Sequence, residues 1–495
     1  MRKRFAIGLV ISSILTFSFG TSTLAAPPDT GGFETTKPAY LVPTAPGVIV
    51  DPILSTGDII GTYQMSGIPD GLGAYRADRA DGNGNNNSTG GRRNVVTVMN
   101  HELGRSFPNN PPGVDTRISR IEIHPKTRLV QAAEYLFDGT EGYERFCSAS
   151  LMTVNGQPWF FTGEEAVPIA GQPPGPAHDG SSIVMDPDTG NFTETAHFGH
   201  LQHENVLPIE LSDWVFLTSE DDFRPGVSSY LYAYIADTFE GGVAGTEGDL
   251  YVWQADNPGT NQNSMAVKGV PIPGHFVPLS EADNANSTAL KAAAVREDGF
   301  RFDRLEDIAL RPDVEGRVYI ADTGKLPVGS PASATPAGRV YQFDIDPNDP
   351  TSATLTMILN GDAPNFDDIK NPDNMDASER VLVIQEDRES FFRDGFNRVM
   401  TYNFQTETLT SVARVATPNT LRPGTWESSG VIDAGYLLGR DWWLLDVQAH
   451  NSVAPQPGPT VGENPPVPNT SSGEDGQLLA IYIPGSQGNR DNDDR

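Results

Sequence analysis

Residues 214 to 222 read WVFLTSEDD, a short apolar run that ends in three consecutive acidic residues. An apolar run of this length, bounded by polar residues, is typical of a strand that is buried on both faces. Three carboxylates at its end repel one another unless something cationic lies between them. The stretch therefore combines a signal for a buried strand with a concentration of negative charge.

The same pattern recurs along the chain, in VVTVMNHE (95–102), PWFFTGEE (158–165), DRLEDIAL (303–310) and VLVIQED (381–387). Its acidic ends, represented by Glu102, Glu165, Asp221, Asp307 and Asp387, follow one another in steps of 56 to 86 residues. A propeller blade needs about 40 residues or more. We therefore predict an all-β fold, a β-propeller whose blades carry long inserted loops, with a β-sandwich as the alternative.

The N-terminus has the pattern of an export signal. A basic start (Met1–Arg4) precedes an apolar stretch (Phe5–Gly20) and small residues at a cleavage site (Thr23–Ala25). A membrane anchor is the alternative, although the apolar stretch is short for a span. We predict a signal peptide at 1–26, one propeller domain at 27–488 and a disordered tail at 489–495. The protein would then be secreted or periplasmic, without a membrane span.

The net charge and the cysteine content exclude some classes of partner and of covalent cross-link. The formal net charge of −31 argues against nucleic acid or an anionic membrane as partner. The single cysteine, Cys147, excludes an intramolecular disulfide, so the thiol is either buried and inert or a metal ligand. We expect a monomer that acts on a small molecule.

Carboxylates at converging strand ends are the oxygen ligands that hard cations prefer. The pairs Glu164-Glu165 and Asp221-Asp222 each follow an aromatic strand. Adjacent negative charges repel one another, and a bound cation reduces that repulsion. Solvated acidic turns are the alternative for each position taken singly. The candidate metal ligands are Glu102, Glu164, Glu165, Asp221, Asp222, Glu306, Asp307, Asp373, Glu386 and Glu427.

Two further residues are candidates for contacts with substrate. On a strand, Arg304 and Glu306 share one face. A guanidinium beside metal-binding carboxylates suits phosphate, because its planar fork matches phosphate oxygens. A surface ion pair between these two residues is the alternative. Asn100, next to the first acidic strand end, could bond a substrate oxygen.

Read in order, the motifs resemble the PhoX-type alkaline phosphatases. The matching segments are Asn100 to Glu102, Cys147 with Trp159 to Glu165, Gly199 to Glu204, Asp221-Asp222 with Tyr230 to Tyr232, Gly248 to Val252, Arg304 to Asp307, Pro372 to Asn374 and Gln448 to His450. Two departures from the family pattern concern cysteine. Cys147 begins Cys-Ser-Ala-Ser where the family has Cys-Ala-Gly-Gly, and Gly163 replaces a second family cysteine.

The resemblance implies a six-bladed propeller with a cluster of iron and calcium ions, held by carboxylates and one thiolate. Cys147 then becomes a metal ligand, since thiolate suits iron. The resulting hypothesis is a secreted, metal-dependent phosphoesterase that hydrolyses small phosphomonoesters, with Arg304 and Asn100 orienting the phosphate. The alternatives are a calcium-stabilised propeller that binds or scaffolds without catalysis, and another propeller hydrolase such as a lactonase or phytase.

Overall fold

The computed structural model describes residues 32–77, 94–104, 115–169, 176–325, 335–362, 367–388, 395–455 and 472–488. The predicted signal peptide (1–26) and tail (489–495) lie outside the described residues. In the described part of the chain, none of the helices has the length and apolar character needed to cross a bilayer.

Strands dominate the described residues. In chain order they are β1 (Leu41–Pro43), β2 (Ile49–Ser55), β3 (Ile59–Ile60), β4 (Tyr63–Gln64), β5 (Pro69–Arg76), β6 (Val95–His101), β7 (Arg117–Ile123), β8 (Val130–Phe137), β9 (Phe146–Val154), β10 (Gln157–Glu164), β11 (Ser182–Met185), β12 (Phe192–Glu194), β13 (His203–Glu210), β14 (Trp214–Glu220), β15 (Leu231–Ala236), β16 (Asp249–Ala255), β17 (Pro271–Leu279), β18 (Leu305–Leu310), β19 (Arg317–Asp322), β20 (Arg339–Asp346), β21 (Asp349–Asn360), β22 (Pro372–Ala377), β23 (Val381–Glu386), β24 (Arg398–Asn403), β25 (Thr408–Val415), β26 (Glu427–Asp433), β27 (Trp442–Pro455) and β28 (Ser472–Tyr482). The helices are short: α1 (Phe239–Ala244), α2 (Ser287–Arg296), α3 (Gly435–Leu438) and 3₁₀ turns at Ala196–Phe198 and Gln262–Ser264.

The strands form antiparallel sheets in which most neighbours along the chain are also neighbours in space. The orders are β5-β6-β7-β8, β12-β11-β10-β9, β13-β14-β15-β16-β17-β21-β20-β19-β18, β1-β25-β24-β23-β22, β2-β28-β27-β26 and the small pair β3-β4. Two early strands join late sheets, because β1 pairs with β25 and β2 pairs with β28. These pairings tie the beginning of the described chain to its end.

The sheets are arranged like the blades of a propeller. Six strands, β5, β9, β13, β18, β22 and β26, each contact the next one, and β26 contacts β5 again, so that they form a closed ring. We call them the inner strands, and their partners β6, β10, β14, β19, β23 and β27 the second strands. The nine-stranded sheet carries inner strands β13 and β18 at its two ends; these touch, so the sheet nearly closes on itself. The all-β, propeller-like prediction is confirmed.

Burial on both faces explains the apolar runs of the second strands. Phe161 and Phe216 pack between two neighbouring sheets, and Val383 packs against Trp443 of the next one. Each such side chain, wholly removed from water, stabilises the fold by roughly 1.5–3 kcal/mol. The apolar segments therefore lock adjacent sheets together and fix where each second strand ends.

Candidate functional site

The ends of the second strands are tied to the starts of the inner strands by a repeated backbone hydrogen bond. In five pairs of inner and second strands, the residue that follows the second strand donates its N–H to the carbonyl of the residue before the inner strand. The pairs are Glu102 to Ile68, Glu165 to Arg145, Asp221 to Gln202, Thr323 to Arg304 and Asp387 to Asn371, at 2.9–3.0 Å. Four of the five donors are acidic residues, so this contact brings four carboxylates to one end of the ring.

The inner strands add a second set of ligand atoms at the same end. In five of them the pairing register shifts beside the second residue of the strand. A bulge of this kind bends the strand and changes the direction of the side chain. The second residues are Asp70, Cys147, Glu204, Glu306 and Asp373, and Glu427 opens the sixth inner strand.

These two sets of residues form one continuous group. Four overlapping triads have ligand atoms that all lie within 4.8 Å of one another: Asp70, Glu102 and Cys147; Cys147, Glu165 and Glu204; Glu204, Glu306 and Asp373; and Asp373, Asp387 and Glu427. We call these nine residues the carboxylate cluster. Two ligands of one calcium ion, each about 2.3–2.6 Å from it, are at most about 5 Å apart, so the spacing suits a shared cation.

Arg145 bridges two carboxylates of the cluster. Its Nη2 lies 2.9 Å from Oε1 of Glu102 and 2.5 Å from Oε2 of Glu165. Its backbone has a φ of 56°, a left-handed conformation that is unusual for a residue with a side chain. Burial by itself would lower the pKa of Arg145, but Glu165 and Glu102 raise it above the ordinary value. The guanidinium is therefore charged and held in place.

Arg304 occupies a comparable position on another sheet. Its Nε and Nη2 donate to the two carboxylate oxygens of Asp221 at 2.8 and 2.6 Å, and Nη2 lies 3.1 Å from Oε1 of Glu306. Burial opposes its charge, but Asp221 and Glu306 raise its pKa well above the ordinary value. Arg304 and Glu306 form an ion pair in which Glu306 is buried and the side chain of Arg304 is 14% exposed.

The cluster contains more acidic groups than its arginine partners can neutralise. Burial, followed by the neighbouring carboxylates, raises the pKa of Asp70 and Glu204 well above the usual range. Burial likewise raises that of Glu165 and Glu306 in spite of their arginine partners. Such groups either hold protons or bind cations.

A buried glutamine supplies an independent indication of a ligand. Gln448 is 1% exposed, and its Nε2 donates to Asp70 at 2.9 Å and to Glu102 at 3.1 Å. Among the described residues, its Oε1 accepts no hydrogen bond. A buried amide oxygen beside converging carboxylates is a further ligand atom for a hard cation.

The donor set suits two kinds of metal. The carboxylate oxygens fit calcium, whereas the thiol of Cys147 fits a softer ion such as iron. Burial and the surrounding carboxylates raise the pKa of this thiol, and its Sγ lies 3.0 Å from Oε2 of Glu165. At the other family cysteine position, a Cβ on Gly163 would lie 2.4 Å from Cβ of His203. The imidazole fills the space that a second thiol would need.

His450 holds Glu427 in the cluster. Its Nε2 lies 3.0 Å from Oε1 of Glu427, and its Nδ1 lies 2.6 Å from Oε2 of Glu474. Burial would lower the pKa of His450, but these two carboxylates raise it well above the ordinary value. The imidazole thus orients Glu427 while it offsets part of its charge.

The structure brings together more than half of the residues predicted as ligands. Glu102, Cys147, Glu165, Glu306, Asp373 and Glu427 belong to the carboxylate cluster. Asp221 lies beside it through its contact with Arg304. Asn100 is buried, and its Nδ2 donates to the carbonyl of Cys147 at 2.8 Å and to Oγ1 of Thr162 at 2.7 Å. The amide thus supports the strand that carries the thiol.

The other four predicted ligands are not in the cluster; they are Glu164, Asp222, Asp307 and Glu386. Each carboxylate has nearby donors instead. Backbone N–H groups bond both oxygens of Glu164 and both of Asp307. Asp222 pairs with arginine and lysine side chains, and Glu386 pairs with two arginines.

The set of predicted site residues lacks three members of the carboxylate cluster and two residues that contact it. The three members are Asp70, Glu204 and Asp387, and the two contacting residues are Arg145 and Gln448. A signal for two of them exists in the short segments PDG (69–71) and HEN (203–205), which open inner strands in the same way as PDN (372–374). In each segment, the acidic residue is the second residue of the inner strand. Arg145 has no such signal, because its role depends on Glu102 and Glu165 from other strands.

The fold and the site define a propeller-like protein with a buried cluster of potential metal ligands at one end of its ring. No protein-family model matches the chain, and no curated protein matches it in sequence. Among solved structures, it is similar to PhoX of Pseudomonas fluorescens in complex with vanadate, a transition state analogue. The TM-score is 0.59 at 14% identity, over 90% of this chain and 99% of that one.

A second, weaker likeness is to a protein of unknown function from Dyadobacter fermentans. It has a TM-score of 0.43 at 9% identity, over 88% of this chain and all of the other (100%). At identities this low, a likeness concerns the fold alone. The chain therefore has a PhoX-like fold.

Proposed function

We propose that the protein is a metal-dependent phosphoesterase that hydrolyses small phosphomonoesters at the carboxylate cluster. One observation carries the proposal: two guanidinium groups, Arg145 and Arg304, are each fixed by two carboxylates at the same group of potential metal ligands. Arginine recognises phosphate oxygens, and metal ligands at the same place are what phosphoryl transfer requires. The PhoX-like fold adds support, since that neighbour binds vanadate.

The residues of the cluster would hold calcium through carboxylates and iron through Cys147. Bound metal ions supply charge that stabilises the phosphoryl oxygens and activates an oxygen nucleophile. The nine residues of the cluster, with Gln448 beside them, lie on or directly after strands whose register is fixed by bulges and by packing. The protein therefore presents its ligands with little reorganisation.

The two arginines would bind and orient the phosphate. The side chains of Arg145 and Arg304 are 19% and 14% exposed, so both reach the surface of the cluster. Their carboxylate partners fix the orientation of the planar guanidinium groups. Because a fixed dipole or charge needs no rearrangement during the reaction, such groups stabilise developing negative charge effectively. Asn100 would act as a positioning residue through its bond to the carbonyl of Cys147.

Several finer features belong to the same proposal. The closed ring of six inner strands is interpreted as a six-bladed propeller, and residues 27–488 as one domain. The signal at 1–26 would direct the chain to the periplasm or the medium, where calcium is abundant. The protein would act as a monomer on a small phosphorylated substrate, with no nucleic-acid partner at a net charge of −31.

Metal analysis paired with a phosphatase assay tests the proposal. Purified protein is loaded with calcium and iron, its metal content is measured, and hydrolysis of a generic phosphomonoester is followed. We expect bound metal and turnover, and a roughly tenfold or greater loss of turnover in Glu165→Gln. Glu194→Gln, on the outer strand β12, is the matched control. Calcium without turnover would instead support the scaffold alternative.

A further inference from the structure

An exposed aromatic ring lies at the rim of the carboxylate cluster. Phe223 is 40% exposed, although it directly follows the buried residues Asp221 and Asp222. The guanidinium carbon of Arg145 lies 5.2 Å from the centre of the ring. Since Asp221 also binds Arg304, residues 221 to 223 contact both of the guanidiniums proposed to bind phosphate.

The loop that presents this ring is strongly anchored. Nζ of Lys325 donates to three of its backbone carbonyls, those of Asp222, Arg224 and Val227, at 2.6, 3.1 and 2.8 Å. The carboxylate of Asp222 additionally pairs with the side chains of Arg224 and Lys291. A buried lysine and a buried carboxylate thus hold the loop, and Phe223 itself contributes little to that anchoring.

Packing does not account for the position of the ring. Leaving a large apolar side chain in water forgoes the stabilisation that burial would bring. A cation–π contact at an exposed site offsets only about 0.5–1 kcal/mol of the stabilisation that is lost when the ring stays in water. An aromatic ring that a rigid loop keeps exposed beside a charged site is suited to contact a ligand.

We propose that Phe223 forms the surface against which the organic group of the substrate rests, and that the site favours aryl over small alkyl phosphate esters. The inference rests on the proposed function, because it takes the phosphoryl group to lie at Arg145 and Arg304. An aryl ring beside the phosphorus can then stack on Phe223 in an offset or edge-to-face arrangement. A methyl group is too small to use this surface.

Binding of two non-hydrolysable phosphonates tests the inference separately from turnover. Dissociation constants of phenylphosphonate and methylphosphonate are measured by calorimetry on the metal-loaded protein. We expect the phenyl compound to bind roughly fivefold more tightly or better, the scale of one aromatic contact. Phe223→Ala should reduce this ratio to about one, and Phe223→Trp should preserve it. Phe192→Ala, an exposed aromatic on β12, is the matched control.

The outcomes separate the two proposals. Equal affinity for both phosphonates in the unaltered protein, or a preference that survives Phe223→Ala, overturns the role of Phe223. An equal loss of affinity for both in Phe223→Ala also overturns it, because the ring would then act only through Arg145. Absence of ester hydrolysis in a protein that still shows the Phe223-dependent preference would contradict the phosphoesterase proposal and leave the aryl surface supported.

Discussion

Acidic residues lie along the inner strands at two levels of the ring, and their surroundings differ. At the starts of these strands, the carboxylates of the cluster face one another. Further along the same strands, a cavity of about 900 Å³ is lined by other acids, among them Asp307, Asp376 and Asp433. There, backbone N–H groups of Ala377 and Asp433 donate to the two oxygens of Asp376 at 2.7 and 2.6 Å.

The comparison shows that the available donors, rather than the presence of acids, decide what a carboxylate can do. Hydrogen bonds to the charged form stabilise it without any metal, although burial still raises the pKa of Asp307 to about 7. At the strand starts, bulges point the acids toward one another, and burial raises the pKa of residues such as Glu204 and Glu306. We expect cations to bind at this level of the ring and not at the level of the cavity.

Removal of metal should have the largest effect. We expect a chelator to lower phosphatase activity by about a hundredfold or more, the scale seen when a charge-stabilising group is lost. The melting temperature should fall by several degrees, since ligand at a hundred times its dissociation constant stabilises by about 2.7 kcal/mol. Activity and thermal melting are measured before and after chelation, and after calcium and iron are returned. Full activity in metal-free protein contradicts the account.

Loss of either bridging arginine should have the next largest effect. Arg304→Ala and Arg145→Ala should each reduce kcat/KM by roughly tenfold or more, because each removes a fixed positive charge from the phosphate site. Arg76→Ala, which changes an arginine lining the cavity at the other level, is the control and should leave kcat/KM nearly unchanged. Equal effects of all three substitutions would remove the distinction between the two levels.

Two aspartates of β22 provide a matched pair. Asp373 belongs to the cluster, and Asp376 lines the cavity three residues later. Asp373→Asn should weaken metal binding by about tenfold or more and raise the melting temperature of the metal-free protein, because it removes a repelling charge. Asp376→Asn should cost about 1–3 kcal/mol of stability with and without metal. Metal titration and thermal melting distinguish them; the reverse pattern would refute the assignment of the two levels.

The pH dependence of stability should show the smallest effect. Asp70, Glu165, Glu204 and Glu306 have pKa values raised above those of an unfolded chain. Above about pH 4, the folded metal-free protein therefore binds more protons than the unfolded chain, and its stability falls as pH rises. Calcium should remove this penalty, so the difference in melting temperature between loaded and metal-free protein should grow by a few degrees from pH 5 to 8. A constant difference would indicate that the cluster does not bind the metal.

Much of the fold could be predicted from periodicity. The apolar run that begins at Trp214 is β14. Four of the five acidic ends do follow second strands, because a buried strand must stop where the chain meets the ring's polar end. The fifth differs: in DRLEDIAL the acids open inner strand β18 instead of closing a strand.

The rest of the site depends on contacts between distant parts of the chain. The register shift that turns Asp70 or Glu204 toward the cluster has no clear sequence signal of its own. The adjacent acids Glu164 and Glu165 could not be told apart, since one meets backbone donors and the other meets Cys147 and Arg145. The roles of Arg145 and Phe223 follow only once strands from different sheets are placed side by side.

The most direct test is a crystal structure of the metal-loaded protein with anomalous diffraction measured at the iron edge and at a longer wavelength sensitive to calcium. We expect peaks between the carboxylates of Asp70, Glu102, Glu204, Glu306 and Asp373, at coordination distances of about 2.0–2.6 Å, with iron next to Cys147. A map without anomalous peaks in the carboxylate cluster, from protein that retains full activity, would contradict the account.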